Sequence, residues 1–142
     1  MEWMLRQTEK VELPDVVKRG LAVAQDTEPS QRPRFVFGNG DLGPGNFIAR
    51  KDGSVAVVDW ENVGFNDPVS EIMLLHTWPE DEPFLTLYPV DRMYCDRAGL
   101  DASILPWYEL IGALCGWWYA TKDQNARSRR HHEQWLVDLL AQ

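Results

Sequence analysis

Cysteine is scarce in this chain: Cys95 and Cys115 stand alone, twenty residues apart, with no C-x-x-C pair. With no such pair, two buried free thiols are expected rather than a metal site or a disulfide. Positive charge is also short. Fourteen Lys and Arg face 22 Asp and Glu, for a formal charge of −8. A nucleic-acid partner needs a basic face to neutralise phosphates, so none is expected. No apolar run approaches the roughly 18 residues of a membrane span, and no basic segment followed by an apolar stretch opens the chain. No membrane partner is expected, and a cytoplasmic location follows by default. Repeats and low-complexity tracts are absent as well.

Tryptophan, by contrast, is plentiful, at 7 of 142 residues, and 44% of the chain is hydrophobic. A single domain of this length can bury about two-thirds of its unfolded surface, so 1–142 is read as one globular domain. Residues 1–12 are mixed and carry no pattern. From Pro14 to Gln25, apolar residues Val16, Val17, Leu21 and Ala24 follow helical spacing. This predicts a helix over 13–25, leading through a polar loop and the strand Phe35–Phe37 into a loop at 38–46.

That loop reads Gly38-Asn-Gly-Asp41-Leu-Gly-Pro-Gly-Asn46, and Val57-Val-Asp59-Trp-Glu61 follows. Between them, Phe47–Arg50, an Asp52-Gly53 turn and Ser54–Val58 predict a β-hairpin. A hairpin returns Asp59, at the exit of its second strand, to the neighbourhood of Asn46, at the entry of its first. Asp41 and Asn46 stand in the order D-x-x-x-x-N. In kinase chemistry the Asp of that order faces the acceptor hydroxyl and the Asn holds Mg²⁺, while a second Asp downstream holds metal against the phosphates. The residue types suit the task, because Mg²⁺ takes oxygen ligands and usually only one or two protein carboxylates. The alternative is an ordinary Gly/Pro/Asn/Asp turn between two strands.

Asp67 and Pro68 form an N-cap and first-turn pair for a helix running to about Trp78. Asp67 could instead be a further acidic site residue, and Glu61 could reach a metal or a cationic substrate. The acidic, Pro-bounded turn Pro79–Pro83 is a solvated loop or a rim for a cationic substrate. Helices are expected within Pro89–Leu100, over Ser103–Thr121 and over Arg129–Leu140. The stripe Ile104, Trp107, Tyr108, Ile111, Leu114, Cys115, Trp118 and Tyr119 is read as core rather than as a ligand stack. His131 and His132 are adjacent on a helix and make a poor metal pair. His76 is read as a packing residue.

The run Phe37–Ile48 resembles the catalytic loop of the aminoglycoside phosphotransferase and choline kinase-like family, whose usual form is H-G-D-L-H-P-G-N. The segment 55–68, with Val-Asp59-Trp-Glu and then Asn-Asp67-Pro68, is similar to that family's metal-binding segment. By this resemblance Asp41 is the catalytic residue, Asn46 and Asp59 are the Mg²⁺ ligands, and ATP is the phosphoryl donor. The acceptor is a small-molecule hydroxyl. The implied fold is α+β: a mostly helical C-terminal lobe of a kinase-like phosphotransferase, with a small hairpin carrying the site. Asn39 stands where the family commonly has His, and Gly43 replaces its second His. No phosphate-covering loop, V-A-I-K-like strand Lys or adenine-stacking linker can be placed ahead of Asp41. The chain is therefore expected to be a C-lobe alone: a fragment, a truncated product, or a module that binds without catalysing. The sequence does not specify an oligomeric state.

Overall fold

A computed structural model of the chain describes residues 2–9, 11–30, 32–73, 75 and 90–142. The chain groups into two compact units, one formed by residues 1–30 with 106–142, the other by 31–105.

The first unit is helical. Helix α1 is Glu2–Thr8, α2 is Asp15–Asp26, and the unit closes with the two long helices α5, Leu105–Lys122, and α6, Ala126–Leu139. Helix α1 lies where the sequence pattern predicted nothing. At seven residues it is too short to show a period, yet it buries Met4 in the core. Thr8 ends it by donating its hydroxyl to Met4 O at 3.0 Å and Leu5 O at 3.1 Å. Helix α2 begins one residue after Pro14 and buries Val17, Gly20, Leu21 and Ala24, the i, i+3, i+4, i+7 face expected of it.

These meet Leu110, Ala113, Leu114 and Trp117 of α5 and Leu136 of α6. Trp107 is anchored on the same core through its indole N–H, which donates to Ala24 O at 2.7 Å. On α5 the expected core stripe holds at Trp107, Tyr108 and Leu114, but its C-terminal part is rotated. Trp117 is buried at 2% exposure while Tyr119 is 52% exposed. With Trp117, Trp118 and Tyr119 consecutive, either face was apolar enough to go inward. Helix α6 starts three residues earlier than predicted, because the Asn125 side chain accepts from Ser128 N at 3.0 Å and caps it. The turn before it places Gln124 at φ 55°, with Asn125 N donating to Ala120 O and Gln124 N to Thr121 O, a left-handed helix stop.

Among its described residues the second unit carries four short strands and two α-helices. Strands β1 (Val36–Gly38) and β4 (Gly64–Asn66) pair antiparallel, with Phe37 opposite Phe65. Strands β2 (Phe47–Ala49) and β3 (Val55–Val57) form the expected hairpin, Phe47 opposite Val57 and Ala49 opposite Val55. Its turn holds Gly53 at φ 81°, a conformation glycine adopts freely, and Asp52 accepts from both the amide and the hydroxyl of Ser54. Helix α3 is Pro68–Met73 and α4 is Val90–Ala98. The expected extension of α3 to Trp78, the acidic turn 79–83 and His76 lie outside the described residues. Strand β4 was missed by the sequence reading, which placed no element between Asp59 and Asp67. Three residues centred on one exposed Phe carry too little alternation to register.

Candidate active site

Asp41, Asn46, Asp59 and Glu61 lie in the second unit, on the segments between β1 and β2 and between β3 and β4, and Asp67 lies between β4 and α3. Strand β1 delivers the chain to Asn39, which is 2% exposed. Its side chain works in two directions. Oδ1 accepts from Asp41 N at 3.0 Å, closing the turn around Gly40. Nδ2 donates to Asp59 O at 2.8 Å and to Val58 O at 3.3 Å, on the other loop. Standing where the family commonly has His, Asn39 makes three hydrogen bonds. The amide is compact enough to sit between the loops, and a buried amide must satisfy both of its ends.

Gly40 has φ 79°, and a Cβ there would stand 2.2 Å from Asn62 O. The loop thus lies against the backbone of the turn that follows Asp59, a closeness only glycine permits. Beyond it, Gly43 N donates to Asp41 O and Asn46 N to Gly43 O, and a 3₁₀ turn spans Pro44–Asn46. Asn46 folds back on Asp41, its Nδ2 donating to Asp41 O at 2.8 Å and to Asp41 Oδ2 at 3.3 Å. The ladder of the hairpin continues one step past its strands, with Val58 N donating to Asn46 O at 2.9 Å. Asn46 is therefore in contact with Asp41 and backbone-bonded to the residue before Asp59.

Asp59 is exposed and has φ 58°. A left-handed, non-glycine residue costs energy and persists only where its surroundings hold it. Here the holders are Asn39, bonded to its carbonyl, and Trp60, whose indole N–H donates to Val57 O at 2.8 Å. The side chains expected to serve a cation, Asp59 and Asn46 with Asp41 in contact with Asn46, present oxygens as ligands. Among the described residues no three His, Cys, Asp or Glu side chains gather into a metal cluster. An oxygen-only set with few carboxylates fits Mg²⁺ completed by phosphate and water, and does not fit zinc.

Asp67 is placed as a cap: its Oδ1 accepts from Val69 N at 3.0 Å and Ser70 N at 3.4 Å. Glu61 is exposed. His131 is only partly buried, whereas His132 is fully enclosed, so the two rings serve different surroundings. The sequence reading missed Glu71. It is buried on α3, and its Oε1 accepts from Gly40 N at 3.0 Å and from Asn66 Nδ2 at 2.7 Å. The available signal was a carboxylate one helical turn after the Asp67 cap, in a short helix that buries residues on more than one side.

Among curated proteins none matches significantly. One solved structure, the apo form of a thermostable mutant of aminoglycoside phosphotransferase APH(4)-Ia, shares the fold with a TM-score of 0.67 at 20% identity. The alignment covers 99% of this chain and 51% of that one, so the chain spans about half the length of that enzyme. No helix among the described residues is long and apolar enough to cross a membrane. A family model described as the phosphotransferase enzyme family matches residues 1–107, three-quarters of the sequence, and the chain belongs to that family.

Proposed function

We propose that this chain is the site-bearing lobe of a Mg²⁺- and ATP-dependent phosphotransferase that phosphorylates a hydroxyl of a small molecule in the cytoplasm. The observation that carries this reading is the bridge through Asn39 and Asn46, which ties the Asp41 loop to the strand end bearing Asp59. Mg²⁺, when bound, neutralises phosphate charge and orients the group to be transferred. Asn46 and Asp59 are the residues that would hold it. Asp41 accepts a hydrogen bond from the acceptor hydroxyl and takes its proton as the oxygen becomes a nucleophile. Its position does not depend on substrate, since Asn39 and Asn46 hold its backbone and one carboxylate oxygen beforehand. The net acidity favours a cationic acceptor, of which aminoglycosides are one class.

The test is turnover in two settings. The 142-residue chain alone should phosphorylate small alcohols poorly, because no residue ahead of Asp41 matches a phosphate-covering loop and orientation can contribute roughly 7–11 kcal/mol to barrier lowering. Joined to a family N-terminal lobe, it should turn over. Asp41→Ala should then slow the chemical step far more than it weakens ATP binding. A well-folded hybrid whose turnover ignores Asp41→Ala would remove that residue from catalysis. The competing reading, a module that binds without catalysing, predicts a hybrid that binds Mg²⁺-ATP but never turns over.

A further inference from the structure

Gly38 and Glu71 exclude one another's space. A Cβ on Gly38 would stand 2.3 Å from both carboxylate oxygens of Glu71, a separation that real Cβ atoms do not show. The carboxylate is 7% exposed, and one of its oxygens receives both the Gly40 amide and the Asn66 side chain. That single atom joins helix α3, the end of β4 and the residue immediately before Asp41. Burying a carboxylate is costly unless hydrogen bonds replace its water. The two donors supply that replacement and are in turn located by it.

The geometry points to Gly38 and Glu71 as a matched pair that positions the Asp41 loop. The long glutamate reaches Gly40 because residue 38 has no side chain in its path. An aspartate on α3 would stop one C–C bond short, about 1.5 Å. A side chain at 38 would push the glutamate off the Gly40 amide. Gly40 has little room to follow a displaced partner, since the Asn62 backbone closes its other side. Any shift is therefore passed to Asp41 and, through Asn39 and Asn46, to Asp59. This last consequence rests on the phosphotransferase reading of those residues; the pairing itself does not.

The experiment uses the full chain and four variants: Glu71→Gln, Glu71→Asp, Gly38→Ala, and the double Gly38→Ala/Glu71→Asp. Thermal midpoints, Gly40 amide exchange by NMR and Mn²⁺ affinity by water-proton relaxation are measured on each. Glu71→Gln keeps an oxygen for both donors, so exchange and Mn²⁺ affinity should stay close to wild type. Glu71→Asp should speed Gly40 exchange and weaken Mn²⁺ about tenfold, as loss of an outer-shell partner does. Gly38→Ala should lower the midpoint by about 3 °C or more. The double variant should recover most of that loss while keeping fast Gly40 exchange, because neighbours that clash do not add. Two results overturn the pairing: Gly40 exchange unchanged in Glu71→Asp, or a double variant no more stable than the sum of the single effects. If Gly38→Ala does not fold, Glu71→Asp against Glu71→Gln decides alone. Wild-type Mn²⁺ relaxation that is indifferent to Asp59→Asn would sink the metal reading instead, and the exchange and midpoint arms would still judge the pair.

Discussion

Asp59 carries two demands that pull apart. Its left-handed backbone suits glycine, while the proposed metal site needs its carboxylate. Asp59→Gly should therefore raise stability, by up to about 1 kcal/mol, and abolish Mn²⁺ binding in the same protein. Asp59→Asn should abolish binding with little change in stability, since Asn tolerates this region as well as Asp. Urea unfolding with Mn²⁺ relaxation on both variants checks this, and a Gly variant that keeps its metal would count against Asp59 as a ligand. Asp67 sits on the other side of the division between site and scaffold. Asp67→Ala should cost about 1 kcal/mol as a lost cap and leave Mn²⁺ affinity unchanged.

At the level of elements, the meeting of α5 and α6 depends on a histidine. A Cβ on Gly116 would lie 1.8 Å from His132 Nε2, so the ring fills the space glycine leaves. His132 is 3% exposed, and its Nδ1 has no hydrogen-bond partner among the described residues. Burial, reinforced by the neighbouring His131, depresses its pKa from 6.5 to about 4. A depressed histidine is held neutral by the fold. The stability it confers is thus complete above pH 6.5 and is lost as pH falls through the interval down to about 4. Across that window the wild type should lose about 2–3 kcal/mol more than His132→Leu, read as the difference between their urea midpoints at pH 7 and pH 4. Equal acid sensitivity in the two proteins would show that other groups govern the transition. Gly116→Ala should destabilise at every pH, because a Cβ there would overlap three atoms of the imidazole where it now packs.

Over the whole molecule, the formal charge of −8 sets up a field that attracts cations of any kind. If the acceptor is cationic, its affinity should fall several-fold between about 20 and 200 mM salt, where screening shortens from roughly 20 to 7 Å. Binding of a neutral sugar should not change over that range. Calorimetric titration of both at the two ionic strengths distinguishes them, and an acceptor with salt-independent affinity would remove the long-range field from recognition.

The three proposed site residues were legible because local chemistry encodes them. Asp41 and Asn46 lie within one loop, and the Asp52-Gly53 turn brings Asp59 back toward Asn46 through contacts close in sequence. Helices α2 and α4 and the Asp67 cap were legible for the same reason, a repeat or a capping residue within a few positions. Other features depend on partners far along the chain. The β1–β4 pairing joins residues nearly thirty apart, and Glu71 reaches Gly40 across 31 positions. Nothing around Glu71 distinguishes a buried carboxylate from a solvated one until α3 is placed beside the loop. The same holds for Trp117 against Tyr119, two aromatics competing for one core position, and for His132, whose burial follows from a glycine on another helix. Periodicity and turn chemistry act over a handful of residues, so they locate elements and loops. Which side chain is buried, and which donor a buried charge finds, depends on close packing between segments that meet only in the folded protein.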